Sequence, residues 1–254
     1  VTIWPFATWD QDSCSSDKPE AVGMFPGMGT RLYSPCNKEA YVNWLTAAVE
    51  RYDGDGIDDM PGLKYPIRHW EILNEPEMQG PDLTFYQEDS QSYLELLKLS
   101  YRAIKSADAD SVVLLAGQAG MQSKFVDYWQ PILRGAAGYF DVGNIHSISS
   151  SDLDFFASEY RAFLDDNNFE TANFWVTEAL IGIPPGEQKL SEDDLARRTM
   201  ISYASSFAAG ADVIFNVGGH DPTGGPGDLS AKTVAFMAKA FGEFNTVSQL
   251  GDSL

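Results

Sequence analysis

Two glutamates, each at the end of a strand-like run, could supply a pair of reactive carboxyl groups. The run that begins at Arg68 is rich in aromatic and branched residues, which is typical of a β-strand, and it ends at Asn74, Glu75 and Pro76. A later apolar run ends at Glu178 in the same way. A carboxyl group can transfer a proton or attack an electrophilic carbon, so both side chains are candidates for acid–base or nucleophilic chemistry.

The surroundings of both glutamates resemble motifs of one group of enzymes. Asn-Glu-Pro at 74–76 resembles the acid/base strand of the clan A glycoside hydrolases, and Trp-Val-Thr-Glu at 175–178 resembles their nucleophile strand. This resemblance implies a (β/α)8 barrel that cleaves β-linked sugars with retention of configuration. It also implies that Glu75 is the acid/base, that Glu178 is the nucleophile, and that Asn74 bonds the 2-hydroxyl group of the sugar.

Strand-like and helix-like stretches alternate along the chain, which predicts an α/β fold with a parallel sheet and helices outside it. The predicted strands are Val1–Trp4, Arg68–Glu75, Val112–Gly117, Val142–Ile148, Asn173–Ala179 and Asp212–Val217. The predicted helices are Lys38–Tyr52, Gln87–Ala107, Lys124–Leu133, Leu153–Leu164, Ser191–Ala209 and Ser230–Phe244. The segment from Pro5 to Pro35 is predicted to be a long loop.

The predicted architecture is a single TIM-barrel-like domain over residues 1–254, incomplete, with about six β/α units of the (β/α)8 barrel. The resemblance covers the chain nearly end to end but matches only the last six units, with Glu75 on the fourth strand and Glu178 on the seventh. An open six-strand sheet has two edges with unpaired backbone groups. We expect a missing N-terminal segment or a second copy of the chain to cover them, in preference to the loop from Pro5 to Pro35.

Several residues near the predicted strand ends are candidates for contacts with a sugar. Trp4 ends the first predicted strand, and Trp9 and Asp10 follow it. Aromatic rings at this place can cover the apolar face of a pyranose or can simply pack the loop. Gln118 follows the third strand, and His220 lies in the glycine-rich loop after the last one.

His146 lies in the fourth predicted strand. By resemblance it occupies the first position of a His-x-Tyr element that supports the nucleophile and the sugar, but Ile148 stands where the tyrosine would be. Only half of that element is matched, and a buried core histidine is the alternative interpretation.

The charge and apolar content narrow the range of partners. The formal net charge is -20, from 37 acidic and 17 basic side chains, which disfavours nucleic acid and anionic surfaces and favours a neutral carbohydrate, although such acidity also serves solubility alone. No apolar run is long enough to span a membrane. Val1 in place of methionine is compatible with a removed signal peptide, and we expect a secreted protein. Neither a cofactor nor a metal is implied, because phosphate, dinucleotide and zinc motifs are missing from the sequence.

Two further features leave alternatives open. Cys14 and Cys36 are predicted to form a disulfide in an oxidising compartment, and two unpaired thiols are the alternative. The acidic turn from Asp53 to Asp59 is predicted to be a solvated connection, with a bound cation as the alternative, because its spacing does not reproduce an EF-hand loop.

The sequence supports one main function and one rival. The main hypothesis is a retaining glycoside hydrolase that acts on neutral β-linked glycans or glycosides by double displacement. The rival is a catalytically impaired carbohydrate-binding or assembly protein on a partial barrel, since the first two barrel units normally supply sugar contacts.

Overall fold

A computed structural model of the chain describes residues 1–22, 29–148, 153–181, 190–217 and 229–241. Its strands and helices alternate as the sequence predicts. In chain order the elements are β1 (Thr2–Ile3), α1 (Thr8–Cys14), α2 (Lys38–Tyr52), β2 (His69–Ile72), α3 (Ser90–Ala107), β3 (Val112–Leu114), α4 (Ser123–Gly135), β4 (Val142–Ile148), α5 (Ala157–Asp165), β5 (Asn173–Leu180), α6 (Glu192–Ala208), β6 (Ala211–Asn216) and α7 (Leu229–Phe241).

The chain forms two compact units, residues 1–143 and residues 144–254. In the first unit the parallel neighbours are β1, β2, β3 and the start of β4, with Thr2 opposite Glu71 and Leu114 opposite Val142. In the second unit the rest of β4 is followed by β5 and β6, and β5 pairs parallel with β6. The predicted α/β, TIM-barrel-like class with six units is confirmed, whereas the single domain and the covering of the sheet edges stay predictions.

Helix α2 forms because its apolar residues recur at helical spacing. In α2 the buried residues Tyr41, Leu45 and Val49 lie four apart on one face, and that face packs with α3. The side-chain oxygen of Asn37 accepts the N–H of Ala40 at 3.0 Å, which caps the start of the helix. The bounds of α2 are those predicted from the sequence.

Helix α1 corrects the prediction of an uninterrupted loop from Pro5 to Pro35. It lacks an apolar stripe because its buried residues, Asp10 and Gln11, are polar. Gln11 is held from outside the helix, donating to the carbonyl oxygen of Tyr33 and accepting the N–H of the same residue. Tertiary hydrogen bonds, which hydrophobic periodicity cannot reveal, therefore stabilise this short helix.

The predicted disulfide is confirmed. Cys14 at the end of α1 is bonded to Cys36, just before α2, with 5.8 Å between the Cα atoms and a sequence separation of 22. Closing a loop of this length stabilises the folded chain by about 3 kcal/mol, because it restricts the unfolded ensemble.

Among the helices of the described residues, none combines the length and the apolar character needed to cross a bilayer.

Candidate active site

The backbone is strained at the end of β2, where the predicted acid/base lies. Leu73 has φ +69° and Glu75 has φ +39°, a left-handed region that costs a residue with a side chain about 1 to 3 kcal/mol. The N–H of Glu75 donates to the carbonyl oxygen of Gly117 at 3.1 Å, and the carbonyl oxygen of Glu75 accepts the N–H of Met78 at 2.9 Å. Glu75 is thus fixed in an unfavourable conformation by backbone partners on both sides, as often occurs at functional sites.

Side chains also tie the end of β2 to the end of β3. The Glu71 carboxylate accepts the N–H of Gly117 at 3.1 Å and the hydroxyl of Thr2 at 3.2 Å. The Tyr93 hydroxyl, from α3, donates to the carbonyl oxygen of Ile72 at 3.1 Å and accepts the N–H of Ala116 at 2.8 Å. These bonds make the strand ends a rigid base for Asn74 and Glu75, which are both buried.

A second glutamate, Glu77, lies in the loop directly after Glu75 and was not among the residues predicted from the sequence. One Glu77 carboxylate oxygen accepts the N–H of Ala119 at 2.6 Å, while the other, Oε2, has no hydrogen-bond partner among the described residues. Burial, and to a smaller extent the charge of the nearby Glu75, raises the pKa of Glu77 to about 7, although the N–H of Ala119 and the indole of Trp129 act against the shift. The Trp129 N–H approaches this carboxyl without the geometry of a hydrogen bond. Nothing in the sequence distinguishes Glu77 from a solvated loop acid.

The buried Glu77 carboxyl predicts a pH-dependent stability. Its pKa of about 7 in the folded chain exceeds the ordinary value of 4.5, so the folded state holds this proton more tightly than the unfolded state. The stabilisation is complete below pH 4.5 and is lost as the pH rises to about 7. The loss amounts to about 3 kcal/mol, at 1.36 kcal/mol per pH unit.

We therefore expect the free energy of unfolding of the parent chain to fall by about 3 kcal/mol between pH 4.5 and 8, and we expect Glu77→Gln to abolish this fall. Denaturant unfolding of the parent chain and the variant at several pH values measures this difference. Glu39→Gln, which changes an exposed glutamate of the same unit, should keep the pH dependence of the parent. Parallel curves for the parent and Glu77→Gln would contradict the assignment.

Gln118, predicted to contact the sugar, is fully buried after β3. Its side-chain nitrogen donates to the carbonyl oxygen of Gly120 at 2.8 Å and approaches the sulfur of Met121 at 3.3 Å. The amide oxygen has no hydrogen-bond partner among the described residues. The nitrogen is thus used within the loop, and the contact with substrate stays a prediction.

The predicted aromatic platform lies beside the start of the first unit. A groove of about 370 Å³, which we call the aromatic groove, is lined by the rings of Trp4, Phe6, Trp9, Tyr41 and Trp44. Trp9 and Trp44 are 69% and 51% exposed, which leaves their faces free to pack against a ligand. The sequence prediction included Trp4 and Trp9 but missed Tyr41 and Trp44 of α2, because aromatic residues in a predicted amphipathic helix are expected to pack against the core.

Asp10 lies at the edge of the aromatic groove but is bonded to the chain itself. Its two carboxylate oxygens accept the N–H groups of Cys36 and Asn37, at 2.7 and 2.9 Å. Asp10 therefore anchors the start of α2 to α1 beside the disulfide. A role in binding the sugar stays a prediction.

In the second unit the predicted nucleophile lies in β5 beside a buried histidine of β4. Nδ1 of His146 is 3.8 Å from a carboxylate oxygen of Glu178, and His146 is almost completely buried while Glu178 is half-buried. Nε2 of His146 lies 2.9 Å from the hydroxyl of Thr177. That hydroxyl donates to the side-chain oxygen of Asn144 at 2.8 Å, and the N–H of Asn144 donates to the hydroxyl of Tyr160. The histidine is thus bonded within this unit and approaches the predicted nucleophile.

Two other assignments made from the sequence stay predictions, for different reasons. His220 lies outside the described residues, so its predicted contact with the sugar stays a prediction.

The acidic turn is held by its own side chains, since the Asp59 carboxylate accepts the N–H groups of Gly54 and Gly56 at 2.9 and 2.8 Å. The carboxylates of Glu50 and Asp53 approach each other beside this turn. A solvated connection and a bound cation both stay predictions for it.

The fold of the chain is similar to that of solved glycoside hydrolases. A glucosidase from Croceicoccus marinus matches 91% of the chain with a TM-score of 0.64 at 16% identity. A family 39 glycoside hydrolase from Bacteroides cellulosilyticus WH2 matches 88% with a TM-score of 0.56 at 16% identity. A GH39 β-xylosidase from Caulobacter crescentus matches 74% with a TM-score of 0.53 at 17% identity.

This chain spans only 52%, 49% and 40% of those three structures, respectively. No protein-family model matches the sequence, and no curated protein is significantly similar to it. At these identities the likeness establishes the fold and not the activity. The chain therefore has the (β/α) fold of the clan A glycoside hydrolases, over six parallel strands and their helices.

Proposed function

We propose that the protein is a retaining glycoside hydrolase that acts on neutral β-linked glycans or glycosides. The observation that carries the proposal is the position of two glutamates in a clan A fold: Glu75 follows β2, and Glu178 lies near the end of β5. Counted against the eight-stranded barrel, these are the fourth and seventh strands, on which that fold carries its acid/base and nucleophile. Active sites of such barrels form at the carboxyl ends of the strands.

The proposed reaction has two displacements. In the first, the Glu178 carboxylate attacks the anomeric carbon and the bond to the leaving oxygen breaks, while Glu75 donates its proton to that oxygen. In the second, Glu75 takes a proton from water, which attacks the same carbon and releases Glu178. Retaining enzymes of this kind hold the two carboxyl groups about 5 to 5.5 Å apart. Asn74, next to the acid/base, is proposed to bond the 2-hydroxyl group of the sugar.

The proposed substrate is neutral and has apolar faces. A net charge of -20 repels anionic polysaccharides, and the exposed rings of Trp9 and Trp44 offer surfaces that suit the faces of pyranose rings. The structural neighbours are called a glucosidase and a xylosidase, which makes β-glucosides and β-xylosides the first substrates to try. The disulfide between Cys14 and Cys36 supports an oxidising compartment, and we propose that the protein is secreted.

The test is the release of reducing sugar from a panel of neutral β-glucans, xylans, mannans and galactans, together with aryl β-glucosides and β-xylosides. We expect turnover on at least one of them by the folded chain. A folded preparation that releases nothing from the whole panel would contradict the proposal. Sugar binding without turnover would then favour the carbohydrate-binding alternative.

A further inference from the structure

The hydrogen bonds between β4 and β5 restrict the protons that Thr177 and His146 can carry. Both the N–H and the hydroxyl of Thr177 approach the same side-chain atom of Asn144, at 3.3 and 2.8 Å. A backbone N–H only donates, so that atom is the amide oxygen, which only accepts. The single hydrogen of the Thr177 hydroxyl is therefore directed to Asn144.

This direction determines which nitrogen of His146 carries a hydrogen. The Thr177 hydroxyl has already used its hydrogen, so at 2.9 Å it can only accept from Nε2 of His146. Nε2 is thus the protonated nitrogen of the neutral ring. Nδ1, the nitrogen 3.8 Å from the Glu178 carboxylate, is then left with a lone pair.

We propose that Thr177 and Asn144 are positioning residues that hold His146 as its Nε2–H tautomer and so keep the neutral ring from donating to Glu178. The inference rests on the proposed function in that it takes Glu178 as the nucleophile. A neutral ring of the opposite tautomer would donate from Nδ1 to the carboxylate and would engage an oxygen needed for attack. The hydrogen bonds from His146 through Thr177 to Asn144, which we call the relay, thus fix the orientation of the imidazole without a hydrogen bond from the neutral ring to Glu178.

Nitrogen NMR of the ring tests the tautomer without any substrate. The chain has only three histidines, so labelling with ¹⁵N-histidine gives three pairs of ring signals, and His146→Gln assigns the pair of interest. We expect, for the neutral ring, a protonated signal for Nε2 and an unprotonated signal for Nδ1. A neutral ring protonated at Nδ1, or a ring protonated at both nitrogens up to pH 9, would overturn the proposal.

Two variants at Thr177 separate the hydroxyl from the rest of the side chain. Thr177→Val keeps the shape but removes the acceptor, so we expect the Nδ1–H tautomer to become populated. In an active enzyme we expect kcat to fall about 10- to 100-fold, the range found when the partner that orients a metal-binding imidazole is removed, with KM nearly unchanged. Thr177→Ser keeps the hydroxyl and should restore both the spectrum and kcat.

Unchanged ring signals in Thr177→Val would overturn the role of the hydroxyl. The two arms also distinguish the failure of this inference from the failure of the proposed function. If the parent chain releases no sugar but shows the expected ring signals, the relay is supported and the proposed glycosidase activity is contradicted. If sugar is released and the signals show Nδ1–H in the parent, the relay is wrong and the activity stands.

Discussion

Glu178→Ala is expected to abolish sugar release, with kcat lowered on the order of 10⁴- to 10⁶-fold, as when covalent catalytic machinery is removed. The side chain is the proposed nucleophile, and no other carboxylate of β5 can replace it at the anomeric carbon, since it is the only acid of that strand. Reducing-sugar assays and steady-state kinetics on the best substrate of the panel measure the loss.

Added azide makes the prediction for Glu178→Ala specific. Azide can enter the space that the carboxylate leaves and attack an activated aryl β-glycoside from the face opposite the leaving group, so the product should be the α-glycosyl azide. Glu170→Ala, which changes an exposed glutamate of the same unit, should keep the parent rate. A Glu178→Ala variant with more than a tenth of the parent kcat would contradict the assignment.

Glu75→Ala is expected to lower kcat/KM about 10²- to 10⁴-fold for substrates whose leaving group needs a proton, the usual contribution of a general acid. Dinitrophenolate leaves without protonation, so the first displacement on a dinitrophenyl β-glycoside should change much less. The covalent intermediate then accumulates, because no base activates the water for the second step. Pre-steady-state bursts with the two kinds of leaving group measure the contrast.

Azide should rescue Glu75→Ala with the opposite stereochemical outcome. As an anion it needs no general base, and its attack on the glycosyl intermediate completes two inversions, which gives the β-glycosyl azide. Glu39→Ala is the matched surface control in the first unit. Equal losses for all leaving groups, or an α-azide product, would show that Glu75 is not the acid/base.

Much of the fold follows from periodicity in the sequence. The apolar residues of α2 recur at helical spacing, and the bounds of α2 are predicted correctly, as are those of β4. Helix α1 is not predictable in this way, because Asp10 and Gln11 stabilise it through bonds to residues more than twenty positions later.

The candidate site is only partly readable in the sequence. Glu75 and Glu178 are found because motifs surround them, but the left-handed backbone at Leu73 and Glu75 is imposed by the folded surroundings and not by residue type. The contact of Thr177 with Asn144 depends on how β4 and β5 are aligned, and a strand register is not written in either strand alone. The pKa of Glu77 depends on burial that a loop sequence does not indicate.

The covalent intermediate tests the central claim most directly. The chain would be incubated with a 2-deoxy-2-fluoro β-glycoside of the sugar that the panel identifies, carrying an activated aryl leaving group. The fluorine slows both displacements, whereas the activated leaving group speeds only the first, so the covalent intermediate accumulates. Mass spectrometry of the intact chain and of its peptides locates the adduct. We predict one fluorosugar per chain, esterified to Glu178; an adduct on another residue, or turnover of substrate with none, would contradict a retaining mechanism through Glu178.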